Sequence, residues 1–272
     1  MKGMASPLPV TDAHARALRE DGVTCVRRLL DPHWLAECEA AWAWSVGHPG
    51  PLASRLVGTE DARQDLCNPA APARYRTLLE ASPVADAVAA LWGTPPVWFM
   101  YEQVFHKTRG ISARTPWHQD APYLAVDGED LAVVWISFEA LPHALSLEFV
   151  RGSHRGPVYD GSRFDPRDPT APLYGTGDLP RLPDIEADRD AYDIVSWAVE
   201  PGDVLVFHPA VLHGGAPTTA EIPERRTLSL RFFGEHAFYR SRPGPAGPAV
   251  KGLHGRLRDG DPFRADCFLA LR

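Results

Sequence analysis

Cysteine is scarce in this chain. Four occur in 272 residues, Cys25, Cys38, Cys67 and Cys267, and no two form a Cys-x-x-Cys pair. That excludes a zinc ribbon and a secreted disulfide framework and fits reduced thiols. Positive charge is also short, with 28 Lys and Arg against 35 Asp and Glu, a formal net charge of −7. Without a basic stripe the chain lacks the electrostatic footprint of a nucleic-acid binder. Long apolar runs are missing too. The longest stretch free of Asp, Glu, Lys and Arg, Val204 to Ala220, contains His208, Pro209, His213, Gly214, Gly215 and Pro217, so it is no bilayer span. The opening residues, MKGMASPLPV, have no apolar core of the export-signal kind. No internal repeat occurs. These absences predict a soluble, cytoplasmic protein that engages neither nucleic acid nor membrane, present as a monomer or homodimer.

What is there is ordinary for a globular protein: 44% hydrophobic and 23% charged residues exclude disorder, collagen and coiled coil. Up to about Gly93 the pattern is mostly helical. Asp12 is placed to cap a first helix that Asp21-Gly22 breaks, and Val23 to Val26 then reads as a short strand. Asp31-Pro32 opens a second helix, with Asp31 as N-cap and Pro32 at the first helical position. Residues 49–73 are Pro/Ala-rich and give no pattern. A third helix runs from Pro83 to about Leu91 and ends at Gly93.

Beyond Gly93 the character turns to β. Val97–Lys107, Leu131–Phe138, Leu145–Val150, Ile194–Val199, Val204–Phe207 and Thr227–Phe233 are rich in β-branched and aromatic residues, and turn chemistry such as Pro201-Gly202-Asp203 separates them. Strands without intervening helices point to an antiparallel sandwich or barrel, mainly β with flanking α-helices, best described as a jelly roll. The reading is one domain over 1–272: a helical N-terminal layer at 1–95, a jelly-roll core at 96–240 and a C-terminal tail at 241–272. The core is interrupted by an insertion at 155–193, long enough to be a lid or binding loop.

Chemistry concentrates in three places. In Thr115-Pro-Trp-His118-Gln-Asp120, an extended backbone would aim His118 and Asp120 from one strand face and Gln119 from the other. A His and a carboxylate converging on one point are two thirds of a 2-His-1-carboxylate facial triad. The third ligand must come from another strand, and His208 and His213 are the candidates. His208 continues a β alternation, whereas His213 precedes two glycines that let backbone crowd a site, which favours His213. Twelve residues on, Arg225, Thr227 and Ser229 share one strand face, and a buried arginine there needs an anionic partner. Arg226, on the opposite face, reads as a surface ion pair. Tyr101, Gln103 and Phe105 share a face of a neighbouring strand, and His154 reads as a residue holding a turn.

In order and spacing, these residues resemble the phytanoyl-CoA dioxygenase family of Fe(II)/2-oxoglutarate oxygenases. The resemblance runs from about Asp21-Gly22-Val23 to Phe233. It includes Trp117-His118-Gln119-Asp120, Val134-Trp135-Ile136, Leu147-Glu148-Phe149-Val150 followed by Gly152-Ser153-His154, Pro201-Gly202-Asp203 and His213-Gly214. Two places depart from it: His143-Ala144-Leu145 stands where an Asn-Gly turn is usual, and Arg151 where the family has Pro before Gly-Ser-His. The resemblance implies that the jelly roll is a cupin-like double-stranded β-helix. It implies that His118, Asp120 and His213 bind iron, that Arg225 holds the distal carboxylate of the cosubstrate 2-oxoglutarate, and that Ser229 and Trp135 line that pocket; Gln103, with Tyr101 and Phe105, is expected to face the cofactor or substrate, with a plain core role as the alternative.

The implied activity is a dioxygenase one, consuming O2 and 2-oxoglutarate to oxidise an unactivated C–H bond of a small molecule. Hydroxylation is the expected outcome; desaturation, epimerisation and ring closure are the alternatives. Asp120 stands where related halogenases carry Gly or Ala, which argues against halogenation. The expected substrate is a bacterial secondary metabolite rather than a fatty acyl-CoA. A cupin-type metal enzyme that does not use 2-oxoglutarate would keep the three ligands but need no Arg225, and a non-enzymatic barrel would need neither.

Overall fold

The computed structural model describes residues 7–56, 62–93, 96–108, 114–215, 217–264 and 266–272. Residues 1–6, the start of the segment read above for an export signal, lie outside these. The first helix, α1 (Asp12–Asp21), is capped by Thr11 rather than Asp12, with His14 Nδ1 accepting the Thr11 N–H at 3.1 Å. Asp12 instead occupies the first turn, where a negative charge suits the helix dipole. After β1 (Val23–Val26), α2 (Pro32–Gly47) starts as expected: Asp31 Oδ1 accepts the Trp34 N–H at 2.9 Å. The patternless stretch holds β2 (Ser54–Arg55), β3 (Ala62–Leu66) and α3 (Ala71–Arg74), and α4 (Arg76–Ala81) leads into α5 (Pro83–Trp92). Gly93, left-handed at φ 81°, ends α5.

The strands that follow are β4 (Trp98–Lys107), β5 (Thr115–His118), β6 (Val126–Asp127), β7 (Leu131–Ser137), β8 (Leu147–Val150), β9 (Ile194–Ser196), β10 (Val204–Phe207), β11 (His213–Gly215), β12 (Arg225–Phe233), β13 (Phe238–Tyr239) and β14 (Leu269–Ala270). Leu145, expected in a strand, lies instead in a single 3-10 turn, His143–Leu145, because Pro142 starts a turn that delays β8. Likewise β9 stops at Ser196, and only a single bridge joins Val199 to Leu141.

The larger sheet runs β1-β10-β7-β12-β4-β3-β2, with β14 against β4; the smaller runs β5-β11-β8-β9. All these pairings are antiparallel. The strands β4, β5 and β7 to β12 are shared between the two sheets in the order of a double-stranded β-helix, and the expected jelly roll is the observed fold.

Period-two alternation gives the larger sheet two unlike faces. Val104, Val134, Ile136, Val204, Val206, Leu228, Leu230 and Phe232 point outward and pack on the helices through Leu18, Cys38, Trp42, Leu79, Val88 and Leu91. On the inner side, Val23, Cys25, Val133, Trp135, Leu205 and Phe207 meet Leu147 and Phe149 of the smaller sheet. At β4 and β12 the inner face changes to Tyr101, Gln103, Arg225, Thr227, Ser229 and Arg231. The insertion packs on the outer face of the smaller sheet through Leu182 and Ile185, which meet Trp117, Val150 and Leu212.

The Pro201-Gly202-Asp203 turn latches this layer arrangement. Asp203 Oδ1 accepts the Arg28 N–H at 2.8 Å and Oδ2 accepts Arg27 Nη1 at 2.7 Å, tying the β1–α2 connection to the start of β10. Gly202 has φ +101°, and a Cβ there would lie 2.6 Å from the Leu30 carbonyl oxygen. Gly202→Ala is therefore expected to lower stability by about 1–3 kcal/mol, the range for backbone held in a disfavoured region. Urea denaturation monitored by circular dichroism measures it, and an unchanged midpoint would contradict the close approach.

Candidate metal centre

Strands β5 and β11 pair so that His118 stands directly opposite His213, with ring centroids 4.2 Å apart. Both imidazoles are oriented from behind. His118 Nδ1 lies 2.8 Å from the Pro116 carbonyl oxygen, and His213 Nδ1 lies 3.0 Å from that of Val211. A carbonyl only accepts, so each Nδ1 carries the proton and each Nε2 presents a lone pair.

Asp120 completes the group, though not from a strand. β5 ends at His118, and Asp120 has helical backbone angles, φ −75° and ψ −29°, at the head of a 3-10 turn, Ala121–Tyr123. The expectation of one extended face is corrected: Pro122 in that turn and the Ala121 N–H bonded to the Pro209 carbonyl at 2.9 Å bend the chain. Asp120 Oδ1 then lies 3.7 Å from His118 Nε2 and 3.9 Å from His213 Nε2. The ligand atoms of the three residues lie within 4.8 Å of one another, a separation that could hold one metal ion.

His208 is not part of this group. Its Nε2 lies 2.9 Å from the Gly128 carbonyl and its Nδ1 accepts the Ala210 N–H at 3.1 Å, so both nitrogens are occupied in bracing a turn. Gln119 points away from the site as expected. It is fully buried, donating to the carbonyls of Pro157 and Ala210 at 3.1 and 2.7 Å and accepting the Tyr159 N–H at 2.8 Å. His154 Nε2 bonds the Arg19 carbonyl at 3.1 Å, and Arg226 pairs with Glu139 and Glu39, in keeping with their bland readings.

On the inner face, Trp135, Ser229 and Gln103 form one row across β7, β12 and β4. The Gln103 amide is engaged at both ends, donating to Gln64 Oε1 at 3.0 Å and accepting from Arg231 Nη2 at 2.7 Å. Arg225, 2% exposed, donates from Nη2 to the carbonyls of Leu145 and Pro217 at 2.5 and 2.8 Å. Its Nε and Nη1 have no acceptor among the described residues. Lys107 of β4 is its cross-strand partner and is also buried. Burial, and then the charge of Arg225, pushes the Lys107 ammonium down to about 8; burial likewise pushes Arg225 down to about 10. Two buried cations side by side, one of them a guanidinium whose Nε and Nη1 have no acceptor among the described residues, suit a carboxylate ligand.

Sequence reasoning missed Lys107, Arg231 and an aromatic wall. Arg231 continues the alternation of Arg225, Thr227 and Ser229, so the signal was present. Phe164, at φ 55°, sets its ring edge-on to His118 at 5.1 Å and stacks on Tyr123 at 6.1 Å. No local signal announces that contact, which depends on where the insertion folds.

A jelly roll whose two histidines and one carboxylate converge between its sheets has the ligand set of mononuclear non-haem iron oxygenases. The family model described as phytanoyl-CoA dioxygenase matches residues 18–227, and the chain belongs to that family. Among solved structures, the non-haem α-ketoglutarate-dependent carbocyclase SnoK from nogalamycin biosynthesis is similar at 20% identity and TM-score 0.71, covering 97% of this chain and 97% of that chain. The epimerase SnoN from the same biosynthesis is 21% identical with TM-score 0.70, covering 96% and 98%, and has also been solved with Fe3+, α-ketoglutarate and nogalamycin RO. EctD from S. alaskensis is 18% identical with TM-score 0.65, covering 90% and 84%. No curated protein sequence matches the chain. Among the described residues no helix is long and apolar enough to cross a membrane.

The site's electrostatics set its pH behaviour. Burial raises the Asp120 carboxyl, but Arg231 foremost, then His213 and His118, outweigh it and hold the group at about 2. Burial, and then the neighbouring His118, pushes His213 down to about 3; burial likewise pushes His208 down to about 4 and lowers His118. In the unfolded chain these imidazoles take protons near pH 6.5. Between about pH 6.5 and those depressed native values the unfolded state binds more protons, so stability falls as pH falls. Glu102, whose carboxyl burial raises to about 7, acts in the opposite sense over this range but is one group against three imidazoles, so the melting temperature of metal-free protein is expected to decline steadily from pH 6.5 to 4.5. A rise over that interval would contradict the neutral, buried imidazoles.

Proposed function

We propose that this oxygenase hydroxylates an unactivated C–H bond of a small molecule in bacterial natural-product biosynthesis, using iron held by His118, Asp120 and His213 and 2-oxoglutarate held by Arg225. The observation that carries the reading is a pair of features between the two sheets: a three-ligand cluster on β5, β11 and the turn after β5 with its nitrogen lone pairs already aimed, and a buried guanidinium on β12 with N–H groups unsatisfied among the described residues. Bound iron would supply the coupling of 2-oxoglutarate decarboxylation to O2 reduction, giving hydroxylated product, succinate and CO2.

The chain's own contribution is placement. Carbonyls behind each histidine keep Nε2 deprotonated and pointed inward, so no proton has to leave the imidazoles on metal binding at neutral pH. Arg225, with Lys107 beside it, would take the distal carboxylate of 2-oxoglutarate, and Ser229 and Trp135 would border its body. Gln103, occupied by Gln64 and Arg231, would act on this pocket through those partners. Phe164 and Tyr123 form an apolar wall at His118, suited to an organic substrate and to keeping water away.

Similarity to a carbocyclase and an epimerase supports ring closure or epimerisation as the second reading, with the same ligands and cosubstrate. Product mass separates the outcomes: one added oxygen for hydroxylation, two lost hydrogens for ring closure or desaturation, no change for epimerisation.

Two measurements test the residue roles. For the metal, His213→Ala is expected to lose most Fe(II) or Co(II) affinity by calorimetry, while His208→Ala retains it; the reverse result would overturn the ligand assignment. For the cosubstrate, anaerobic titration of the Fe(II) protein with 2-oxoglutarate follows the charge-transfer band. Arg225→Ala leaves a carboxylate unpaired, a loss of about 2–5 kcal/mol, or roughly thirtyfold to several thousandfold in Kd. Arg225→Lys should recover only part, because an ammonium lacks the planar spread of donors, and Arg226→Ala should change Kd by less than about threefold. Wild-type affinity in Arg225→Ala would move weight to a metal enzyme without 2-oxoglutarate.

A further inference from the structure

Arg231 lies in β12 beyond the residues that the family model matches, and no role of its own has been assigned to it above. It is 5% exposed, and its guanidinium lies over the Tyr101 ring, 4.8 Å from the ring centroid. Its Nη2 donates to Asp120 Oδ2 and to Gln103 Oε1, each at 2.7 Å. Gln103 Nε2 donates in turn to Gln64 Oε1 at 3.0 Å. A chain of polar side chains thus runs from β3 through β4 and β12 to one oxygen of the metal-site carboxylate.

We propose that Arg231 is a positioning residue that fixes Asp120 as a one-oxygen ligand, an inference that rests on the metal reading above. A carboxylate has two chemically equivalent oxygens, and either or both can serve a cation. Here they are made unequal. Oδ2 is taken by Arg231, whereas Oδ1 is the oxygen that lies 3.7 and 3.9 Å from the two Nε2 atoms. A charge-assisted bond from a guanidinium is among the strongest side-chain hydrogen bonds and resists rotation of the carboxylate. Were Asp120 to turn and offer both oxygens, it would fill one of the metal positions that the facial arrangement leaves for other ligands. The stack on Tyr101 and the bond to Gln103 hold the guanidinium plane, so orientation as well as charge reaches Asp120.

The test separates positioning from simple charge neutralisation. Arg231→Lys keeps the charge but cannot reach Gln103 and Asp120 in one plane. Gln103→Leu keeps the arginine and removes one of its two acceptors. Both are compared with wild type in Co(II) affinity and in the Co(II) ligand-field spectrum, which reports coordination number, after near-ultraviolet circular dichroism has checked the fold. Arg231→Lys is expected to bind Co(II) about tenfold to a hundredfold more weakly, as loss of an outer-shell partner does, with altered ligand-field bands. Gln103→Leu is expected to move both readouts the same way by a smaller amount. A folded Arg231→Lys with wild-type affinity and bands would overturn the proposal, since charge alone would then suffice. If that variant does not fold, Gln103→Leu decides, and wild-type values there overturn it equally. His213→Ala in the same assay keeps the two readings apart, because undiminished Co(II) binding in that variant would refute the metal site itself.

Discussion

A carboxylate removed from water must be compensated, and Asp120 sits where burial alone would raise its pKa. The pairing with Arg231 reverses that, and much else in the structure is arranged around the pair. Arg231 is itself buried and must face inward, which sets the register of β12 between β4 and β7. The same register puts Ser229 beside Trp135 and Gln103 and sets Arg225 opposite Lys107. The two imidazoles complete the environment by staying neutral, since protonated rings would compete for the same carboxylate. One buried ion pair thus links the candidate metal ligands to the far end of the strand that carries the candidate cosubstrate arginine.

The larger sheet reconciles this chemistry with stability by dividing its faces. Leu228, Leu230 and Phe232 hold β12 to the helical layer, while the residues between them face the interior. A one-residue slip would expose the first set to the site and drive both arginines into the helices. Packing on one side therefore enforces geometry on the other. The apolar remainder of the inner face, from Val23 to Phe149, cements the two sheets and confines the polar groups to the β4–β12 end.

Much of this was legible in the chain. The β-branched and aromatic runs at 131–137 and 204–207, the Pro201-Gly202-Asp203 turn and the Asp31-Pro32 helix start are local signals, and local physics decides them. His118, Asp120 and His213 stood out by type and spacing. The strand Ala62–Leu66 was hidden because Arg63, Gln64 and Asp65 give no apolar alternation; it adds on beside β4 through backbone pairing. The helical backbone of Asp120 was hidden because His-x-Asp on a strand and His-x-Asp at a strand end read alike. Phe164 depended on contacts across more than forty residues of sequence, for which no periodicity exists.

The insertion is attached to the barrel near both of its ends, and between them Ser162 bonds the Tyr123 hydroxyl and the Tyr174 hydroxyl donates to the Pro122 carbonyl. Near its start, Gln119, the residue between two of the ligands, grips Pro157 and Tyr159. Near its end, Glu186 and Arg189 join Arg114, Trp117 and Glu148; Arg189 meets Glu148 at 2.6 Å and the Trp117 indole donates to Glu186 at 2.7 Å. Phe164 lies between these anchors. The arrangement is that of a cassette: anchors at either end on segments that also carry His118 and Asp120, and a span between them whose sequence shapes the wall at His118. A chimera that swapped the span and kept the anchors would alter which molecules fit while leaving the histidines and Asp120 where they are.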